Sequence, residues 1–306
     1  MTSDAGSPFL LRTSSDLAHT GAERWQQSGA VRRGELHRVR HGVYTGAEGW
    51  KSSSARQRFV ARARAAALSR PTGVVFSHVT AAVLLGLPLV GPLPPRLDIL
   101  LVGAGGGRSE RDIASHRSPD IPEITSLGDV AVTNLERTLV DVAASSSLVR
   151  SLPMIDHALR LGLTDAGRLH SHARSRSPMR ARSRVARAID LGDGRADNPG
   201  ESVSRARILD AGFEAPDLQR AFPLPENRSA IVDFYWSSID LIGEFDGLLK
   251  YSRADGAADT QTLWREKRRE DHLRADHHRI VRWSWDDAWA GAPLERLLAR
   301  AGVPRA

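Results

Sequence analysis

The alternation of apolar and polar positions changes period repeatedly along this chain, and each change predicts an element. Residues 230–235 alternate apolar with other side chains and end in aromatics, while residues 239–245 form a β-branched, apolar run that stops at Asp246-Gly247. Both read as strands, with Ser237-Ser238 between them as a tight hairpin turn. Ahead of them, Pro199-Gly200-Glu201-Ser202 opens a helix that Gly212 closes, with Val203, Ala206, Ile208 and Leu209 on its packing side. Behind them, residues 263–275 read as a strongly charged helix with Leu263, Leu273 and Ala275 packing, and residues 280–285 as a buried strand in which Trp283 and Trp285 pack.

The earlier chain divides in the same way. Thr13-Ser14-Ser15-Asp16 has the hydroxyls and the acid of a helix start, Leu17 and Ala18 give that short helix an apolar side, and Thr20-Gly21 ends it. Residues 22–28 are a second short helix, and residues 31–44 alternate around glycines as a hairpin. Residues 53–68 form an alanine- and arginine-rich helix whose arginines, spread over several faces, predict a solvated surface. Residues 76–88 read as a helix closed by Gly86 and Pro88, residues 96–102 as a strand and 130–132 as a short strand. The loop at 103–107 lacks the Gly-Lys-Ser/Thr of a phosphate cradle. Residues 134–144 and 152–161 are helices, the first amphipathic through Leu135, Leu139, Val142 and Ala143. Residues 168–187 carry seven arginines, two histidines and no acid, and read either as helix or as a mobile linker with phosphate affinity or plain solubility. Residues 190–199 are turn-rich and mark a boundary.

Together these elements predict an α/β chain, α+β overall, divided into segments 1–50, 51–165, a basic linker 166–198 and a last domain 199–306. The 306 residues suffice for several cores. A 41% hydrophobic and 26% charged composition is that of a globular protein. There is no apolar run long enough to span a bilayer and no basic, apolar leader, so a cytoplasmic protein is expected. The absence of cysteine excludes disulfides, thiol catalysis and cysteine-ligated zinc. A net charge of +7 with a pI near 10.5 favours a polyanionic partner.

The candidate chemistry lies in misplaced acids. Asp233 interrupts an apolar strand, and Glu244 stands near the end of the next, where a core residue is expected. A buried carboxylate is costly unless paired or bound to a cation. Asp233, Glu244 and Asp246 at one end of a two-strand ribbon make a hard, oxygen-rich set suited to Mg2+ or Mn2+. Asp246 is either a further cation ligand or part of the turn with Gly247. Glu201 either points back at this set or complements the dipole of its own helix. His78 reads as a ligand, a base or, more simply, a structural histidine near a helix start. Glu136, Arg137 and Asp141 read as a helical charge network.

Asp233 and Glu244-Phe245-Asp246, preceded by a helix with Glu201 and followed by the helix at 263–275 and the strand Arg279–Ser284, resemble the PD-(D/E)xK nuclease fold. The branch most similar is that of the small domains related to very-short-patch-repair endonucleases. The resemblance covers the last third of the chain and implies a mixed sheet flanked by helices. It implies that Asp233, Glu244 and Asp246 hold Mg2+ (or Mn2+) and that Glu201 belongs to the site. The lysine of the family pattern is replaced by Asp246, which leaves Lys250 to orient water or steady the oxyanion and Arg269 to reach a phosphate. At the other end, helix, turn, helix and the hairpin ending Arg38-Val39-Arg40-His41-Gly42-Val43-Tyr44 resemble the winged helix-turn-helix of AbiE-type (type IV) antitoxins. That resemblance implies DNA as a partner, with a cognate toxin protein as a second one. Arg24, Gln26 and Gln27 would then face the major groove, and Arg32, Arg33, Arg38 and Arg40 would neutralise phosphates. Two classes of function remain: a metal-dependent endonuclease, or a repressor whose nuclease-fold domain is weak in catalysis and binds a partner.

Overall fold

The computed structural model describes residues 10–19, 24–70, 73–102, 110–119, 123–176, 181–225, 228–247, 272–273 and 278–306. They fall into two compact units, Met1–Val142 and Ala143–Ala306. Helices and three separate sheets are both present, which makes the chain a mixed α/β protein of the α+β class.

The first unit begins with β1 (Arg12–Thr13), α1 (Ser14–His19), α2 (Arg24–Arg32), β2 (Leu36–Arg40) and β3 (Val43–Gly46). The strands form an antiparallel sheet in the order β1-β3-β2, with a bulge between Arg38 and Arg40. The hairpin turns at Gly42, whose φ of 77° suits a residue without a Cβ. Then follow α3 (Ala47–Ser52) and α4 (Ala55–Leu68), the latter opened by a capping box in which Ser54 and Gln57 bond each other's backbone N–H. The arginines of α4 are not simply solvated. Arg56 donates to the carbonyls of Val83 and Leu87, Arg58 to those of Trp50 and Lys51, and Arg62 to that of Pro95. They satisfy carbonyls at the ends of neighbouring segments, which the spacing along α4 alone does not reveal.

A five-stranded sheet follows, in the order β6-β5-β4-β8-β7. Its strands are β4 (Val75–Phe76), β5 (Leu97–Val102), β6 (Ile113–Ser118), β7 (Ile124–Leu127) and β8 (Val130–Thr133). The helices α5 (His78–Leu84) and α6 (Leu135–Ser145) accompany it. Phe59, Phe76, Val83, Leu97, Ile113 and Val132 form the core between α4, α5 and the sheet. The expected helix over 76–88 is thus a two-residue strand followed by a shorter helix. β6 and β7 are strands that residue pattern does not predict.

The second unit takes in the end of α6 and then α7 (Leu148–Arg160), which begins four residues earlier than expected and carries Pro153 inside it. The arginine-rich segment left open between helix and linker is helical: α8 (Ala166–Ser175), capped by the Asp165 side chain on the Arg168 N–H, and α9 (Arg182–Asp190). α10 (Pro199–Asp210) packs on α7, where Arg205 donates to both carboxyl oxygens of Asp156 at 2.7 Å with both side chains buried. Four strands make the last sheet: β9 (Asp217–Leu224), β10 (Arg228–Trp236), β11 (Leu241–Asp246) and β12 (Arg279–Ser284), in the order β12-β11-β10-β9. β9, β10 and β11 are antiparallel neighbours, and β12 joins β11 in parallel. The β10–β11 turn runs from residue 237 to 240 rather than over Ser237-Ser238 alone, with Asp240 at φ 49°. Trp285 lies outside the last strand and opens α11 (Trp285–Ala290), which α12 (Ala292–Ala301) follows. The stop is local: the Ser284 hydroxyl accepts from the Asp287 N–H while the Asp287 carboxylate accepts from the Ser284 N–H. The expected helix at 263–275 lies, except for 272–273, outside the described residues.

Candidate functional site

α10 meets the sheet through its first turn. The Asn198 side-chain oxygen accepts from the N–H groups of Gly200 and Glu201 at 2.9 and 3.0 Å, and Pro199 supplies a preset φ at the helix start. Gly200 is needed for closeness: a Cβ there would fall 2.1 Å from the Phe245 ring on β11. Glu201, the next residue, is consequently pressed into the interior at 3% exposure.

Three neutral donors hold the Glu201 carboxyl. The Asp197 N–H reaches it at 2.8 Å and the Gln219 side-chain amide at 3.0 Å, both on Oε2, while the Asn198 amide bonds Oε1. Burial pushes this carboxyl up to about 7, the negative charge of Asp233 pushes it the same way, and the hydrogen bonds from Asp197 and Gln219 oppose them only in part. Gln219 has φ of 52° inside β9, a left-handed conformation that costs a residue with a side chain. It stands at the interruption of the β9–β10 ladder between Arg220↔Val232 and Leu218↔Phe234.

Asp233 occupies the facing position on β10. The β10–β11 pairing closes at Phe234↔Gly243, one residue short of Asp233 and Glu244. The Asp233 carboxylate also accepts from the Phe245 N–H at 2.8 Å. Glu244 is 6% exposed and sits in register with Arg282 on β12. Arg282 donates to its Oε2 through Nε at 2.9 Å and Nη2 at 2.8 Å. Asp246 pairs in register with Ser284 at the end of β11 and is half-buried. Among the described residues, no three or more His, Asp or Glu side chains are grouped closely enough to hold a metal ion. The structure therefore brings Asp233 near enough to Glu201 for its charge to act there, and it gives Glu244 a guanidinium. Lys250 and Arg269 lie outside the described residues, as does the side chain of Arg24.

The basic N-terminal hairpin separates into exposed and engaged arginines. Arg32 and Arg38 are exposed; Arg33, also exposed, pairs with Glu35 at 2.7 Å. Arg40 is 17% exposed and bridges Glu110, at 2.7 Å, and Asp112, while Arg70 joins Glu110 from the other side. It ties the hairpin to the start of β6 and is no surface cation. Gln27 is 2% exposed and its amide donates to the Ser14 carbonyl at 3.2 Å, so it braces α2 against α1 in place of facing outward; Gln26 is half-buried.

His78, at φ 49°, stacks on His116 at 3.7 Å between centroids, and His116 Nε2 lies 2.8 Å from Asp98. Burial pulls His78 down to about 4, so it is neutral at physiological pH and packs as an aromatic. Arg137 and Asp141 form a buried ion pair at 2.8 Å one turn apart on α6. Gln219, Asn198 and Arg282 are the site residues that sequence reasoning missed. The Asn-Pro pair before Glu201 was a usable helix-start signal for Asn198, whereas Gln219 and Arg282 become visible only through strand register.

No protein-family model and no curated protein sequence matches the chain. The crystal structure of the RV2827C protein from Mycobacterium tuberculosis is similar with a TM-score of 0.41 and 16% identity, over 71% of this chain and 85% of that one. A likeness of this degree says nothing of activity. Among the described residues no helix is long and apolar enough to cross a membrane.

Proposed function

We propose that this chain is a DNA-binding protein with a winged helix-turn-helix at its N-terminal end. Its last domain is read as PD-(D/E)xK-like, a divalent-cation-dependent endonuclease module acting in genome defence or a toxin–antitoxin setting. The observation that carries the reading is the meeting of Glu201 with Asp233, on the strand next to the one that carries Glu244. A buried acid whose proton affinity is raised by burial and by a neighbouring carboxylate is characteristic of sites that work on protons or cations. The donors are all oxygen, and Mg2+ binds through one or two carboxylates while keeping several waters, so Asp233 and Glu201 fit it in kind. When bound, such an ion lowers the pKa of its water and offsets charge on a phosphate. For the chain's own residues, Glu201 is poised to take or give a proton near neutral pH. Asn198 and Gln219 orient it, and Arg282 supplies beside Glu244 a positive charge that Asp246, in the lysine's place, does not. Arg32, Arg33 and Arg38 are exposed arginines of the wing, Arg33 being paired with Glu35.

Arg282 also favours a second reading, because a guanidinium already answers the Glu244 charge that a metal ion would answer. In that reading the module is silent as a nuclease and the protein is a repressor or antitoxin that binds a partner, such as a cognate toxin. Supercoiled plasmid incubated with Mg2+ or Mn2+ separates the two. Nicking by the unaltered protein, lost in Asp233→Ala and in Glu244→Ala, is the expected result. Equal nicking by all three proteins, or none by any, removes the enzyme and leaves the regulator.

A further inference from the structure

The arginine-rich segment of the second unit is built as a helix pair with unequal ends. α8 and α9 pack together and are clasped at one end by His170 Nε2 on Asp190 at 2.8 Å. Leu169 and Ala173 of α8 and Val185, Ala188 and Ile189 of α9 are buried, which leaves the arginines on the outside. At the clasped end acids answer them: Asp190 is there, and Arg187 pairs with Asp210 at 2.7 Å. Toward the connection between the helices the balance changes. Arg174, Arg182 and Arg184 are all exposed, and residues 166–189 contain no Asp or Glu at all.

Among the described residues, these three side chains give the fold one long bond, from Arg182 to the Arg176 carbonyl at 3.5 Å. Arg182 and Arg184 lie in the first turn of α9, where the helix dipole disfavours cations and where no acid stands. Like charges gathered at one tip repel, and a polyanion removes that cost. The kind of polyanion follows from what accompanies the arginines. Residues 166–189 hold no Phe, Trp or Tyr, so they offer no ring on which an unpaired base could stack, as single strands and RNA loops require. Exposed arginines among serine and alanine suit the regular phosphates of a duplex, which are contacted without reading bases.

We propose that the tip of the α8–α9 pair, through Arg174, Arg182 and Arg184, is a contact surface for the phosphate backbone of duplex DNA. It uses none of the residues of the wing or of the carboxylate site, and it holds whether or not the chain cleaves DNA. The test measures binding of the full chain to a short duplex of arbitrary sequence across a salt series, with the triple variant Arg174→Gln, Arg182→Gln, Arg184→Gln. Each phosphate contact adds roughly 0.9 to the slope of log affinity against log salt, so the triple variant should lose roughly two to three units of slope. At physiological salt it should bind at least about tenfold more weakly. Its melting temperature should not fall, because the three side chains are exposed and their loss relieves repulsion, and the matching triple lysine variant should keep binding. Unchanged slope and affinity in the triple glutamine variant overturn the proposal. So do failure of the unaltered chain to bind duplex, or a loss confined to single-stranded RNA. A parallel variant, Arg32→Gln with Arg38→Gln, separates this surface from the wing: loss of all duplex binding there, with none at the tip, supports the winged helix and refutes the tip.

Discussion

Glu201 and Glu244 are both buried glutamates of the second unit, and the fold answers their charges in opposite ways. Strand register does it for Glu244, since the parallel pairing of β11 and β12 sets Arg282 directly alongside and the guanidinium donates twice to one oxygen. A helix start does it for Glu201, through the Asp197 N–H and the amides of Asn198 and Gln219, which are dipoles and not charges. A guanidinium stays charged at every working pH, so the charge that faces Glu244 does not vary. Neutral donors do not fully replace water around a carboxylate, so the second lets a proton compete, with the Glu201 pKa near 7. The second unit thereby holds one buried glutamate met by a charge and another met by dipoles alone.

The largest test of that contrast is the pH dependence of stability in Glu201→Gln. An acid whose folded pKa is raised costs no stability below its unfolded value of 4.5. The cost grows as pH rises from there toward 7, because the unfolded chain releases the proton first, and it is constant above. A rise from 4.5 to about 7 corresponds to at most about 3 kcal/mol. Denaturant unfolding of both proteins at pH 4.5 and at pH 7.5 should show the variant gaining on the parent by up to about 3 kcal/mol. A gap that stays level across the window would mean that Glu201 titrates as an ordinary exposed glutamate. Millimolar Mg2+ should shrink the gap if the cation binds here, since it favours the ionised form.

Arg282→Met probes the other arm. Removing one partner of a fully buried pair costs roughly 3–5 kcal/mol. Arg282 is a third exposed, and solvent screening brings the expected loss to about 2 kcal/mol. The coupling is checked by a double-mutant cycle with Glu244→Gln, which should be less costly in the Arg282→Met background than alone. Additive losses would show that the 2.8 Å contact contributes little and that the contrast with Glu201 is overstated.

These arms were not equally legible in the sequence. An acid inside an apolar strand marks Asp233 as unusual, and Asn198-Pro199 ahead of Glu201 marks a helix start, because both signals are local. The Glu244–Arg282 pair spans 38 positions and exists only once β12 has joined β11 in parallel. Arg40 misled for the same reason: its partners, Glu110 and Asp112, lie 70 and 72 positions away, and without them it looks like one more basic wing residue. β6 (IASHRS) and β7 (ITSL) show no apolar run of their own and are strands through pairing with β5 and β8. α8 and α9 were undecidable from period because arginine, alanine and serine serve a helix and a linker equally well.

The smallest effect isolates how the titrating arm is built. Gln219 delivers its amide to Glu201 from a backbone at φ 52°, a conformation that costs roughly 1 kcal/mol in any residue carrying a Cβ. Gln219→Ala and Gln219→Gly both delete the hydrogen bond, so whatever that bond contributes cancels between them. Alanine keeps the conformational cost and glycine does not, although glycine also loosens the unfolded chain, which offsets part of the gain. The glycine variant should therefore be the more stable by up to about 1 kcal/mol in denaturant unfolding. Elsewhere in a strand the order would be reversed, since glycine weakens a regular strand. Alanine more stable than glycine at 219 would mean that the backbone there relaxes to ordinary strand geometry. The amide would then no longer be held against Glu201, and the neutral cage that distinguishes this glutamate from Glu244 would lose one of its three donors.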